Sequence, residues 1–136
     1  MTGFHVELDQ RPGTGQDEEA LTVTFEDGTV ERMRLHDYDR VYSVPGLYEE
    51  VVQRRLECAS PARLAEELVT AVRGHGGDPA HLNVLDIGAG NGLAGEELRG
   101  RGVTQPLLGL DTEPAARKAV HRDRPGLYRE FFVSGL

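Results

Sequence analysis

Apolar and polar residues along this 136-residue chain change their period twice. From Phe4 to Leu35 they alternate. Phe4, Val6 and Leu8 are separated by polar positions, as are Leu21, Val23 and Phe25, the period of strands with one buried face. Arg11 to Ala20 between them is a polar loop, in which Asp17 to Glu19 read as a solvated acidic cluster. Asp27-Gly28 predicts a tight hairpin turn, with Thr29 to Leu35 returning as the partner strand. Val30 falls on the opposite face from Met33 and Leu35, so a bulge, a short pairing and a regular ladder all remain open there.

From His36 to Leu56 the texture becomes helical and aromatic, with Tyr38, Tyr42 and Tyr48, and with Pro45 starting a segment whose Tyr48, Val52 and Leu56 share a face. Ser60-Pro61 predicts a capped helix start with proline at its first position. Leu64, Leu68 and Ala71 then repeat at helical spacing, until Gly74, Gly76 and Gly77 end the run. Beyond Leu82 strand and helix alternate. Leu82, Val84, Leu85 and Ile87 suit a strand covered on both faces. Asn91 is placed to cap a helix with Ala94 and Leu98 inward, and Pro106 to Asp111 is a second apolar strand. Thr112 is placed to cap a helix with Ala115, Ala116, Ala119 and Val120 inward, and Arg129 to Val133 is a third strand. Such alternation implies parallel βαβ units with right-handed crossovers, hence an α/β fold. No internal repeat or low-complexity tract interrupts it.

Composition narrows the partners more than the fold. This length fits one domain burying roughly two thirds of its unfolded surface. The formal net charge of −8, with Lys and Arg scattered among acids, argues against nucleic acid or an anionic membrane as partner. No apolar stretch approaches the roughly 20 residues that span a bilayer. A single cysteine, Cys58, reads as a small hydrophobe at a helix end, and with no basic-then-apolar leader a reducing cytoplasm is expected. His36-Asp37 and the other histidines lack the spacing of metal ligands.

The chemistry concentrates between Asn83 and Gly92, in the run N-V-L-D-I-G-A-G-N-G. A buried strand there feeds a glycine turn and a helix, and glycines at 88, 90 and 92 leave no side chain between backbone and ligand. A dinucleotide fingerprint needs Gly or Ala three positions past its second glycine, whereas Leu93 stands there. The pattern D-x-G-x-G-x-G, with Asp86 two residues before the first glycine, resembles instead the first motif of class I S-adenosylmethionine-dependent methyltransferases. The second strand also ends in an acid, Asp111, about twenty residues past the turn, where a carboxylate can accept both hydroxyls of a ribose. The stretch from His36 to Glu50 resembles the tyrosine-bearing cap that precedes the first motif in the small-molecule members of that superfamily.

The resemblance covers residues 36 to 134 and implies a truncated Rossmann-like methyltransferase fold. Three parallel strands in order 3-2-1, with helices, are preceded by a helical cap (together 36–136) and by an N-terminal β-hairpin (1–35), one compact domain overall. It implies S-adenosylmethionine as cofactor, a small-molecule methyl acceptor, and cofactor contacts from Asp86, Gly88, Ala89, Gly90, Asn91, Gly92, Asp111 and Thr112. Asp86 would serve the ammonium side and Asp111 the ribose. N–H groups at the following helix start would bind the carboxylate, and Tyr38 and Tyr42 would lie over the sulfonium, a cation–π contact of about 0.5–2 kcal/mol. Where the family often places an acid for adenine after the third strand, this chain has Gly135. The full family domain has seven strands, so this half leaves the edge at Leu82 to Ile87 to be covered by residues 4 to 35, by a second copy or by another polypeptide. The acceptor pocket of the family lies largely beyond this half, and Tyr38, Tyr42 and His36 are the only catalytic candidates in the cap. Two alternatives stand beside this reading: a non-catalytic interaction module using the open strand edge, and an NAD-binding domain, disfavoured by Leu93. Each residue also has a plain structural role available: a tight turn for 88–92, a helix start for Asp111, packing for the tyrosines.

Overall fold

Among the described residues the strands form two separate three-stranded sheets, one antiparallel and one parallel. The computed structural model describes residues 3–9, 13, 19–55 and 58–135. Most of the predicted polar loop, with Asp17 and Glu18, and Leu56 of the aromatic segment lie outside them.

The antiparallel sheet joins β1 (Phe4–Asp9), β2 (Ala20–Phe25) and β3 (Val30–Arg34) in sequence order. The hairpin between β2 and β3 turns at Glu26-Asp27-Gly28, where Gly28 takes a positive φ and Asp27 accepts the Thr29 amide at 2.8 Å. The β3 register is regular from Thr24 opposite Val30 to Ala20 opposite Arg34, which leaves Val30 exposed and Met33 buried.

Next come α1 (Tyr38–Ser43) and the short α2 (Leu47–Glu49), which runs on into a π-helical turn, Glu50–Arg55. Leu47 and Val51, four residues apart, are the fully buried positions of this stretch, while Tyr48 and Val52 are only half-buried. Together with Val41 they pack on Val6, Leu21, Val23 and Met33 to make a small core of their own. The N-terminal sheet is therefore the platform that backs the cap. Among the described residues it pairs with no strand of the second sheet, so β1 to β3 do not cover the edge of the strand at Leu82 to Ile87.

The parallel sheet has the order β4 (Val84–Ile87), β5 (Leu107–Asp111), β6 (Tyr128–Val133), with α4 (Leu93–Gly100) and α5 (Pro114–Asp123) as crossovers. Helix α3 (Ser60–Gly74) precedes it and packs on α4. The sequence reading of a parallel βαβ layer, ordered 3-2-1, describes this arrangement. Several details differ. Ala59, not Ser60, holds the cap position of α3, and the Ser60 hydroxyl accepts from the Cys58 thiol. The inward residues of α3 are Ala65 and Val69, whereas Leu64 and Ala71 are exposed and Leu68 only half-buried. Small residues sit where the helix meets its neighbours, and Leu64 looks into the groove beside β4. Gly92 rather than Asn91 caps α4, and Glu113 rather than Thr112 caps α5 by accepting the Ala115 amide.

All the helices of the main core lie on one face of the parallel sheet. Leu107, Tyr128 and Phe131 point into that core with Leu98 from α4 and Ala116, Ala119 and Val120 from α5. The other face carries Leu85, Ile87, Leu108, Leu110 and Phe132, none of which joins either buried cluster. Leu85 is 52% exposed, Ile87 56% and Phe132 49%. The strand from Leu82 to Ile87 is thus covered on one face, not two. Among the described residues β4 also pairs with β5 alone, so its outer edge is open. No helix among the described residues is long and apolar enough to cross a membrane.

Candidate functional site

The glycine turn stands at the carboxyl end of β4, beside the carboxyl end of β5. The Gly88 and Ala89 amides both donate to the Leu110 carbonyl, at 2.8 and 3.0 Å, which folds the turn across the tip of β5. Asp111 then grips it from the side. One carboxylate oxygen accepts the Gly90 amide at 2.8 Å and the other accepts the Glu113 amide at 2.9 Å, joining the turn to the start of α5. Asp111 therefore faces residues 88–92, as its proposed role requires. Each of its oxygens keeps a second lone-pair direction for a further donor.

Asp86 lies deeper. It points to the helix side of the sheet, where the Tyr128 hydroxyl donates to it at 2.6 Å. Burial, with the nearby Asp111 charge, pushes the Asp86 carboxyl above the usual carboxylate range, and the tyrosine bond only partly opposes this. Tyr128 reaches across β5 because two glycines make room for it. A Cβ on Gly109 would lie 2.6 Å from the Phe131 ring and 3.2 Å from the Tyr128 ring, and a Cβ on Gly95 would lie 2.7 Å from the Tyr128 hydroxyl. Close helix-to-strand approach is thus provided by Gly95, two positions beyond Leu93.

A pH effect follows from Asp86. A carboxyl whose folded pKa is raised contributes stability below its unfolded pKa near 3.8, and that contribution is lost as pH rises through the folded value. Asp86→Asn, which keeps an acceptor for Tyr128, should therefore melt above the wild type at pH 7 to 8 and converge with it below pH ~3.8. Thermal melts across pH check this; a constant offset at all pH values would show that ionisation of Asp86 is not the cause.

Above the turn sits the cap. Tyr38 stacks on Tyr42 with ring centroids 5.7 Å apart, Tyr48 meets Tyr42 at a tilt with centroids 4.9 Å apart, and His36 meets Tyr38 edge-on at 5.6 Å. Tyr42 is buried, and its hydroxyl would lie 2.7 Å from a Cβ on Gly90, whose φ of 56° also suits glycine. Burial raises the pKa of both Tyr42 and Tyr48. Tyr38 is the exposed member.

The structure brings Asp86, Gly88, Ala89, Gly90, Asn91, Gly92, Asp111 and Tyr42 to one end of β4 and β5. Thr112 is exposed beside them, and Tyr38 joins through its stack on Tyr42. Gly135 is exposed with nothing within 4 Å of its would-be Cβ, and Ser134 donates its amide to the Asp111 carbonyl. The turn offers fewer free donors than the motif suggests. The amides of residues 88, 89, 90 and 92 are all bonded within the protein. The Asn91 side chain is buried and donates to Glu49 instead of capping α4.

Three residues outside the sequence reading belong to this site: Tyr128, Glu49 and Arg124. Tyr128 escapes a period-two reading of the third strand because the register shifts at its start, which puts Tyr128 and Phe131, three apart, on one face. Glu49 and Arg124 carry no local signal, since their meeting depends on tertiary structure. Among the described residues no group of three or more His, Cys, Asp or Glu is arranged to hold a metal ion. No protein family matches the chain, and neither a curated protein nor a solved structure matches it.

Proposed function

We propose that this chain carries the cofactor-binding half of a class I S-adenosylmethionine-dependent methyltransferase acting on a small molecule. The observation that carries the reading is the Asp111 carboxylate bonded to the Gly90 amide, at the carboxyl ends of two adjacent parallel strands. Ligands of open α/β sheets bind outside those strand ends.

The residues fit most of such a ligand. Asp111 retains acceptor capacity for a ribose diol, and Gly88 is exposed with nothing within 4 Å of its would-be Cβ, so the backbone is approachable there. The exposed Tyr38 ring, backed by the buried Tyr42, supplies an aromatic surface for a sulfonium. The ligand carboxylate is served less well by the turn, since the amides of Gly88, Ala89, Gly90 and Gly92 are bonded within the protein. Asp86, held by Tyr128, orients the strand tip beneath. When bound, the cofactor supplies the methyl group; what these residues do is hold it and exclude water. Calorimetric titration with S-adenosylmethionine, S-adenosylhomocysteine and NAD tests the reading. Micromolar binding of the first two supports it, and binding of NAD alone would replace it with the dinucleotide alternative.

The uncovered sheet face favours one second reading, an interaction module with no catalytic role. Leu64, 62% exposed, joins Leu68, Leu85, Ile87 and Ala94 around a groove of about 240 Å³ along the free edge of β4. Exposed apolar edges of this kind recruit further chain. On this reading no adenosyl compound binds, the chain associates reversibly in sedimentation experiments, and Ile87→Lys returns it to monomer. A monodisperse wild-type monomer at high concentration would remove it.

A further inference from the structure

We infer that the open face of the parallel sheet pairs with the same face of a second copy of this chain, about a two-fold axis running across the strands. The pairing names a partner for the interaction reading and rests on it for the association, whichever ligand the glycine turn takes. Parallel sheets are ordinarily buried on both faces. Here the register sets two rows side by side on the uncovered one, Ile87–Leu110–Phe132 and, below it, Leu85–Leu108–Glu130. Only the last position is polar.

Charge selects a second copy over a different partner. In a regular strand the neighbours Arg129 and Glu130 would point to opposite faces. The register shift opposite Leu107 and Leu108 inserts one extra residue into β6, so Tyr128 and Phe131 both enter the core and the two charged residues between them share the open side. Glu130 stands in the lower row, and Arg129 lines a hollow together with Leu85 and Leu108. Both are exposed, and among the described residues neither has an ion-pair partner. A surface bearing one sign of charge selects a partner of the other sign. A surface bearing both side by side is complementary to itself, because a two-fold axis makes each contact twice, residue i to j and j to i. Arg129 of each copy then meets Glu130 of the other.

Shape repeats the pattern. Phe132 stands half-exposed toward the carboxyl ends of the strands. At their amino ends a hollow of about 510 Å³ opens beside Asn83, Gln105, Pro106 and Arg129. The axis that joins Arg129 to Glu130 reverses the strands of the second copy, so each Phe132 is carried toward the other copy's hollow. The apolar rows lie between the sheets, which stack about 10 Å apart.

Sedimentation equilibrium of the whole chain tests the pairing. Wild type should form a dimer. Arg129→Glu and Glu130→Arg should each weaken it about tenfold or more, because like charges then face each other on both sides of the axis. An equimolar mixture of the two variants should recover wild-type affinity as a mixed dimer, and so should the chain carrying both changes, since opposite charges meet again. A wild type that stays monomeric at high concentration overturns both the pairing and the interaction reading, and leaves the face to a different polypeptide. Association that ignores the charge reversals, or a mixture as weak as its components, overturns the pairing alone and moves the contact to another surface.

Discussion

Gly109→Ala should destabilise the protein by about 2–3 kcal/mol, the upper part of the usual range for overpacking. The added methyl meets a ring carbon of Phe131 at 2.6 Å and the Tyr128 ring at 3.2 Å, and both rings are buried in the main core. Gly109 is in β5, the central strand of the parallel sheet, and Gly95 of α4 closes the far side of Tyr128. Pushing Tyr128 aside also takes its hydroxyl from Asp86, leaving a buried carboxyl with its bond broken. For a chain of this size the loss corresponds to a fall in melting temperature of roughly 10 °C. Gly100→Ala is the natural control, since that glycine has no atom within 4 Å of its would-be Cβ and sits in the last turn of α4. A Gly109→Ala protein melting within two or three degrees of wild type, by calorimetry, would mean that the layer around Tyr128 is looser than these distances imply.

That packing explains why part of the molecule is legible in the sequence and part is not. Strand and helix periods depend on neighbours along the chain, so the alternation in Phe4 to Phe25 and the βαβ order after Leu82 are readable, and the structure has both. The glycine turn and Asp111 are readable for a similar reason, because they terminate consecutive strands and their spacing is a property of one βαβ unit. Which face of a helix is buried is harder. In α3 the larger Leu64 and Leu68 outrank Ala65 and Val69 on hydrophobicity, yet close approach to α4 selects the small residues and leaves Leu64 at the open edge. The exposed face of β4 has the same cause, since apolar composition shows that a surface is suited to burial and not what buries it. The role of Tyr128 depends on a register shift, and that of Arg124 on a residue 75 positions away, so neither is written in any local window.

Asp111→Ala should separate what this carboxylate does for the fold from what it does for a ligand. Two backbone amides, of Gly90 and Glu113, lose their acceptor, and charge-assisted bonds of this kind contribute about 1.5–3 kcal/mol each before water re-enters to replace them. The site is only half-buried, so water recovers much of this and a net loss of about 2 kcal/mol in stability is expected. On the adenosyl reading a second loss appears on top: affinity for S-adenosylhomocysteine falls by about 1–3 kcal/mol, or roughly 5- to 150-fold. Asp111→Asn sharpens the test. Its one remaining oxygen can satisfy one backbone amide while its NH2 confronts the other, so the turn is disturbed almost as much as in the alanine variant. An amide oxygen is also a poorer acceptor for a diol than a carboxylate, so binding should fall in both variants. Titration by calorimetry well below the variants' melting temperatures keeps the two quantities apart. If both proteins are less stable yet bind the adenosyl compound as the wild type does, Asp111 serves only to hold Gly90 against the start of α5, and the ribose contact must be sought elsewhere on the turn.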